Sequence, residues 1–181
     1  MAATHDERVN LVMDMAATLP APVPEHVLRG WPTVGAFSVQ VSGRVARTHF
    51  FSFDDDGRSP LHPAKLELRR HELRSVLSAA YFAEPSIERV EGGSWLYTTQ
   101  SYASLFPEEH IRNAVVRRGR WSFPGMSHWG QFLHHTGALR ANLADEFRVR
   151  VATWTGGDLC ELFPLPTLEV SSPIEVFTLQ Q

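Results

Sequence analysis

The chain has 181 residues, 43% of them hydrophobic and 20% charged, with a formal net charge of −3. That length and composition suit one globular domain that buries a core without disulfides or metals. The slight acidity argues against general nucleic-acid binding, which needs a basic footprint. The single cysteine, Cys160, excludes an internal disulfide and fits a reducing cytoplasm.

At the N-terminus Asp6, Glu7 and Asp14 interrupt what an export signal would need, a basic then apolar stretch. No apolar run approaches the roughly 20 residues that span a bilayer. Val9, Val12, Met13 and Ala16 fall at helical spacing and predict a short helix over residues 5–18, closed by the proline-rich piece from Leu19 to Pro24. Residues 1–33 therefore read as an N-terminal helical extension and 34–181 as a single domain.

From Gly35 the period changes to two. Phe37, Val39 and Val41 alternate with polar residues, Ser42-Gly43-Arg44 turns, and Val45 to Phe53 returns as a second strand. Lys65 to Leu68 reads as a brief third strand. Leu73, Val76, Leu77, Ala80 and Tyr81 then repeat at helical spacing over residues 70–82, and Pro85 closes that helix. Ser86 to Val90 and Ser94 to Tyr97 read as strand pieces around a Gly92-Gly93 break. Pro107-Glu108-Glu109 opens a short helix, since proline suits a first turn and acids suit its positive end. His128 to Leu133 alternates as a central strand. Leu139, Leu143, Phe147, Val151 and Trp154 form a ladder at four-residue intervals on a long helix, and Leu168 to Val170 and Ile174 to Leu179 finish the chain as strands. The fold class is α+β, a mostly antiparallel sheet with helices packed on it.

Residues 91–135 are the densest in chemistry. They hold Trp95, Trp121 and Trp129, four of the nine histidines, and the cluster Arg112, Arg117, Arg118 and Arg120. Large aromatics mixed with Gly, Ser and His suit a concave, partly wet surface. Arginines beside a glycine-containing loop suit a phosphate, by charge and forked donors, although an arginine run is also an ordinary solvated loop. His49, His110, His128 and His134 are candidate general bases, with His128 the first among them, and Glu91 and Glu109 are candidate carboxylates. Ser94 is followed by Trp95 and Leu96 where a nucleophile elbow needs a glycine on that side too, and the double glycine before it reads as a bulge turning Trp95 and Tyr97 into the site. No cysteine pair, zinc-protease helix or calcium loop is present to assign a metal.

The segments Gly92-Gly93-Ser94-Trp95-Leu96-Tyr97, Leu105-Phe106-Pro107, Trp129-Gly130-Gln131-Phe132-Leu133, Phe163-Pro164-Leu165-Pro166 and Pro173-Ile174-Glu175 resemble an uncharacterised family of bacterial proteins. The arrangement is also loosely similar to acetyltransferases of the GNAT superfamily. Their pyrophosphate loop has its nearest equivalent in Arg117 to Gly125, with Trp121, Phe123 and Pro124 where their small residues stand. The leading expectation is a cytoplasmic protein that binds a small anionic molecule, with acyl-CoA-dependent group transfer as its most concrete enzymatic form. In that form Arg117, Arg118 and Arg120 hold the cofactor phosphates, Trp95, Tyr97 and Trp129 line the acceptor side, and His128 is the base. The alternative is a non-catalytic interaction module or homodimer, because tryptophan, tyrosine and arginine also dominate interface hot spots.

Overall fold

The computed structural model describes residues 4, 7, 30–51, 54, 56–119 and 126–177. Apart from residue 7, the expected helix over 5–18 lies outside the described residues, as do Arg120, Trp121 and Phe123. A six-stranded, mostly antiparallel sheet with helices packed on it forms the fold, as the α+β reading expects. The strands are β1 (Thr33–Val34), β2 (Phe37–Ser42), β3 (Val45–Phe50), β4 (Arg89–Ser94), β5 (Val115–Val116) and β6 (Leu168–Pro173), in the spatial order β1-β2-β3-β4-β6-β5. Among the described strands only the β3–β4 pair is parallel.

The β2–β3 hairpin is placed where the alternation puts it, with Ser42 opposite Val45 and Gly43 turning at φ 57°, a conformation glycine adopts without strain. Phe37 and Val39 of β2, Ala46 of β3, Val90 of β4 and Val170 of β6 face one side and are fully or almost fully buried. Helix α1 (Leu66–Ala83) closes over them with Leu73, Val76, Leu77 and Ala80. Tyr97, Tyr102, Phe106, His110 and Phe177 complete that core as a chain of ring contacts.

Helix α1 begins four residues before the expected start, and the strand read at Lys65–Leu68 is absent. Pro63 opens a 3₁₀ turn, His62 Nδ1 accepts from the Ala64 amide, and the chain runs directly into α1. An ionic lock then holds that end. Arg69, 1% exposed, donates to both oxygens of Glu72 at 2.8 and 2.7 Å, to the Pro60 carbonyl, and to Asp54, which Lys65 also reaches. Glu72 in turn accepts from the Ala36 amide at 3.1 Å in the β1–β2 turn. Any side chain at Gly35, which turns there at φ 53°, would overlap that carboxylate.

Four further expectations give way. Strand β4 is one continuous strand through Gly92 and Gly93, paired residue by residue with β6, so no bulge forms. Residues 95–98 curl into a 3₁₀ turn because the Ser94 hydroxyl accepts from the Leu96 amide. Residues 128–132 are helical, comprising the end of α4 (Met126–Trp129) and a 3₁₀ turn over Gly130–Phe132, and Leu133 is extended in an isolated bridge to Leu139. The residues buried there, His128, Gln131 and Phe132, stand at helical spacing, and the Gln131 amide replaces sheet pairing by bonding His128 and Leu165 backbone. Residues 174–177 form a 3₁₀ turn in place of the last strand.

The short helices α2 (Gln100–Ala103) and α3 (Glu108–Arg112) line the first core. Helix α5 (Ala141–Thr153) packs Leu143, Ala144 and Val151 against Phe132, Leu159 and Phe163 in a second cluster that also takes in Trp129, Phe147 and Trp154. Among the described residues no helix is long and apolar enough to cross a membrane.

Candidate functional site

Strand alternation that buries Ala46, Thr48, Val90 and Val170 sends their neighbours to the opposite face of the sheet, and those neighbours are polar. Register orders them into rows. Arg47 of β3 stands beside Glu91 of β4, which stands beside Ser171 of β6. One row over, Gly93 stands beside Glu169, and Glu169 beside Val115 of β5; the β3 register carried on two residues sets His49 next to Gly93. Arg89 lies at the other end, beside Val45 and Pro173. Together these residues line a groove of about 590 Å³, walled further by Asn113, Arg117 and Ser127.

The groove carries three guanidinium groups against two carboxylates. Arg47 pairs with Glu91 at 3.2 Å and Arg117 Nε with Glu169 at 2.7 Å. Arg89 donates to the Ser171 hydroxyl at 2.6 Å and has no carboxylate partner among the described residues. The Arg117 guanidinium packs across Gly93, with Nη2 3.4 Å from the position a Cβ would take. On the other side His49 stacks on Trp31, ring centroids 4.8 Å apart at 25°, with Phe51 nearly parallel beyond at 6.3 Å. Burial, assisted by the neighbouring Arg47 charge, lowers the His49 pKa, and its buried Nε2 has no hydrogen-bond partner among the described residues. His49 is therefore a neutral imidazole at the groove wall.

The expected site residues separate. Arg117 lines the groove, whereas its neighbour Arg118 turns to Glu161 at 3.3 Å and is well exposed; Arg120 lies outside the described residues. Tyr97 is 4% exposed in the first core, and burial raises its pKa well above the usual phenol. Its hydroxyl lies under Gly92, where a Cβ would overlap it. Trp129 packs edge-on against Phe147 and Phe163 in the second cluster. Trp95 lies against Gly130 and under the Arg140 guanidinium, 5.5 Å from its ring. None of the three is among the groove residues.

His128 is fully buried. The Thr167 hydroxyl donates its only proton to the Ser127 carbonyl at 2.9 Å, so its 2.9 Å contact with His128 Nδ1 has the imidazole donating. That fixes the tautomer: the lone pair is on Nε2, which faces the Cys160 sulfur at 3.8 Å. Burial and the Arg117 charge, partly opposed by Asp158, push His128 down to about 4. Burial and the Asp158 carboxylate push the Cys160 thiol up to about 11. Both groups are neutral, and Asp158 already occupies the Cys160 and Gly119 amides, which leaves neither of them to stabilise an oxyanion. A base must reach its substrate, and His128 has no exposed surface, so it is a core histidine rather than the base of the groove.

The fold joins residues 128 and 160, which no local pattern in the sequence could show. His110 is likewise buried, its Nδ1 2.7 Å from Ser172 Oγ, and burial pushes it down to about 4. His134 is exposed and its neighbour His135 half-buried where the chain turns. Of the four candidate bases, His49 reaches the groove. Arg47 and Arg89 were missed as site residues, although both stand at outward positions of strands whose inward positions are apolar or small. Among the described residues no group of three or more His, Cys, Asp or Glu is placed to hold a metal.

Comparison of the chain with protein-family models, with curated proteins and with solved structures found no match, and the reading of the groove rests on its own chemistry.

Proposed function

We propose that the protein binds a small anionic molecule in the groove on the polar face of its sheet. The observation that carries this is Arg89: a guanidinium at the groove wall bonded to a hydroxyl, with no carboxylate partner among the described residues, while Arg47 and Arg117 each hold one. A volume of about 590 Å³ matches a small-molecule site. In the acyl-CoA form of this reading the phosphates meet Arg89 and Arg117 in the groove, while Arg118 turns to Glu161 and Arg120 lies outside the described residues. If the ligand reacts, His49 is the candidate base among the residues lining the groove, with its buried Nε2 leaving Nδ1 to take the proton. A cytoplasmic setting belongs to the same reading, since Cys160 is an unpaired thiol.

Calorimetric titration with inorganic pyrophosphate tests the proposal. The wild type should bind, and binding should weaken as salt screens the exposed charges. Arg89→Ala should weaken it about tenfold or more, the worth of one charge-assisted hydrogen bond. Equal affinity in wild type and Arg89→Ala would overturn the assignment. A self-associating module is the second reading, supported by Phe82, 90% exposed at the end of α1. A mass that falls to monomer in Phe82→Ser would favour it.

A further inference from the structure

The groove has two chemically different ends. At one end Arg89 and the Arg47–Glu91 pair supply cationic donors. At the other, the Arg117 guanidinium lies across Gly93, near the Trp31–His49 ring stack and beside Glu169, with Asn113 and Ser127 also lining the groove. Gly93 and Arg89 are four residues apart on β4, about 13 Å at roughly 3.3 Å per residue. The ligand that spans them must carry a planar group at one end and an anion at the other.

From this arrangement we infer that the anion is a nucleoside phosphate, its base at the Gly93 end and its phosphate at Arg89. The inference rests on the anion-binding reading and narrows it. A flat heteroaromatic ring fits over the guanidinium that lies flat across Gly93, where the strand itself raises no side chain. It gains stacking on the Arg117 guanidinium, whose plane packs on ring faces as readily as it bonds carboxylates. A purely aliphatic anion would gain nothing there. The ring must also present hydrogen-bonding edges, because the walls are polar. Glu169 spends Oε1 on Arg117 and has Oε2 to accept an exocyclic amine, while Asn113 offers both a donor and an acceptor. The phosphate end matches Arg89, whose forked donors bind oxyanions in pairs, with the Ser171 hydroxyl beside it as a further donor. The slight acidity of the whole chain does not oppose this, since one phosphate meets only the local charge, where guanidinium groups outnumber carboxylates. Coenzyme A carries the same adenosine-phosphate chemistry, so it belongs among the probes.

The test titrates the full chain with AMP, adenosine, coenzyme A and inorganic pyrophosphate, using wild type, Arg89→Ala and Gly93→Val. Valine at 93 is favourable in a strand and its Cβ meets the flexible end of Arg117, which it would displace, so that variant should fold, as its urea midpoint will show. AMP should bind wild type more tightly than pyrophosphate does, and Gly93→Val should weaken AMP about tenfold or more while leaving pyrophosphate unchanged. Arg89→Ala should weaken both. Coenzyme A binding tighter than AMP would identify the source of the nucleotide and supports the inference. Pyrophosphate binding that matches AMP, with Gly93→Val without effect, would overturn the nucleotide inference and leave the anion groove standing. Failure of every probe, with no response to Arg89→Ala, would overturn both.

Discussion

The close approach of the Tyr97 hydroxyl to Gly92 makes the second strand position of the groove floor unusually sensitive. Gly92 is buried in mid-strand, paired with Val170, and a methyl group there would overlap the Tyr97 oxygen and stand 2.9 Å from Cζ. Replacing a strand glycine by alanine ordinarily stabilises by about 0.5–1 kcal/mol, through the entropy of the unfolded chain. Overpacking a filled core costs about 1–3 kcal/mol, because rings and backbone must shift together. The second effect is larger, so Gly92→Ala should destabilise the protein by about 1–2 kcal/mol. Tyr97→Phe removes the overlapping oxygen but leaves Cζ at 2.9 Å and Cε2 at 3.1 Å, so the double variant should recover part of the loss and not all of it. The expected coupling is about 1 kcal/mol, measured by urea unfolding of the four proteins followed by circular dichroism. Strictly additive effects, within about 0.5 kcal/mol, would refute the packing argument, as would a Gly92→Ala variant more stable than wild type.

His110 and His128 are both held neutral in the folded protein, down to about 4, whereas an unfolded chain takes up protons near 6.5. The unfolded state therefore binds more protons between those values. Stability should be fully present above about 6.5 and fall by a few kcal/mol as the pH drops toward 4, and unfolding free energies flat across that window would contradict it. Glu72→Gln should cost about 3 kcal/mol, because it leaves the buried Arg69 with only part of its charge compensation; a Tm within a degree or two of wild type would show the lock to be dispensable. Cys160 should react with Ellman's reagent far more slowly in the native protein than in urea, since the thiol is 7% exposed and held up to about 11. Equal rates would mean the pair with His128 opens readily.

The parts of the fold legible in the sequence were those whose periodicity is local. The hairpin from residue 37 declared itself because Phe37 and Val39 alternate with polar residues and glycine marks the turn. The apolar faces of α1 and α5 repeated at helical spacing, and they came out as helices. Strands β1 and β5 have two residues each, too few for any period, and exist because a neighbour supplies their hydrogen bonds. Residues 128–133 misled because His128, Gly130 and Phe132 alternate as a strand would, while the burial that matters falls on 128, 131 and 132. The groove was half legible. Its polar face follows from alternation in β3 and β4, yet which strands adjoin is a tertiary fact, and so is the joining of Arg117 to Gly93 across 24 residues of chain. The aromatic wealth of residues 91–135 signalled packing: Tyr97 and Trp129 fill two different cores.

The one parallel pair in the sheet has a consequence for how the molecule assembles during synthesis. Hairpin β2–β3 joins residues a few positions apart and needs little loop closure. Strand β4 reaches β3 only after α1 and its flanking loops have been made, and its other neighbour, β6, pairs Gly93 with Glu169. Sheet closure therefore waits on contacts of long sequence separation, whose entropy must be spent before they stabilise anything. A growing chain can complete the hairpin and lay α1 across it early. The far edge of β4 stays open until residues 168–173 have emerged, and until then the polar face exists without its second wall.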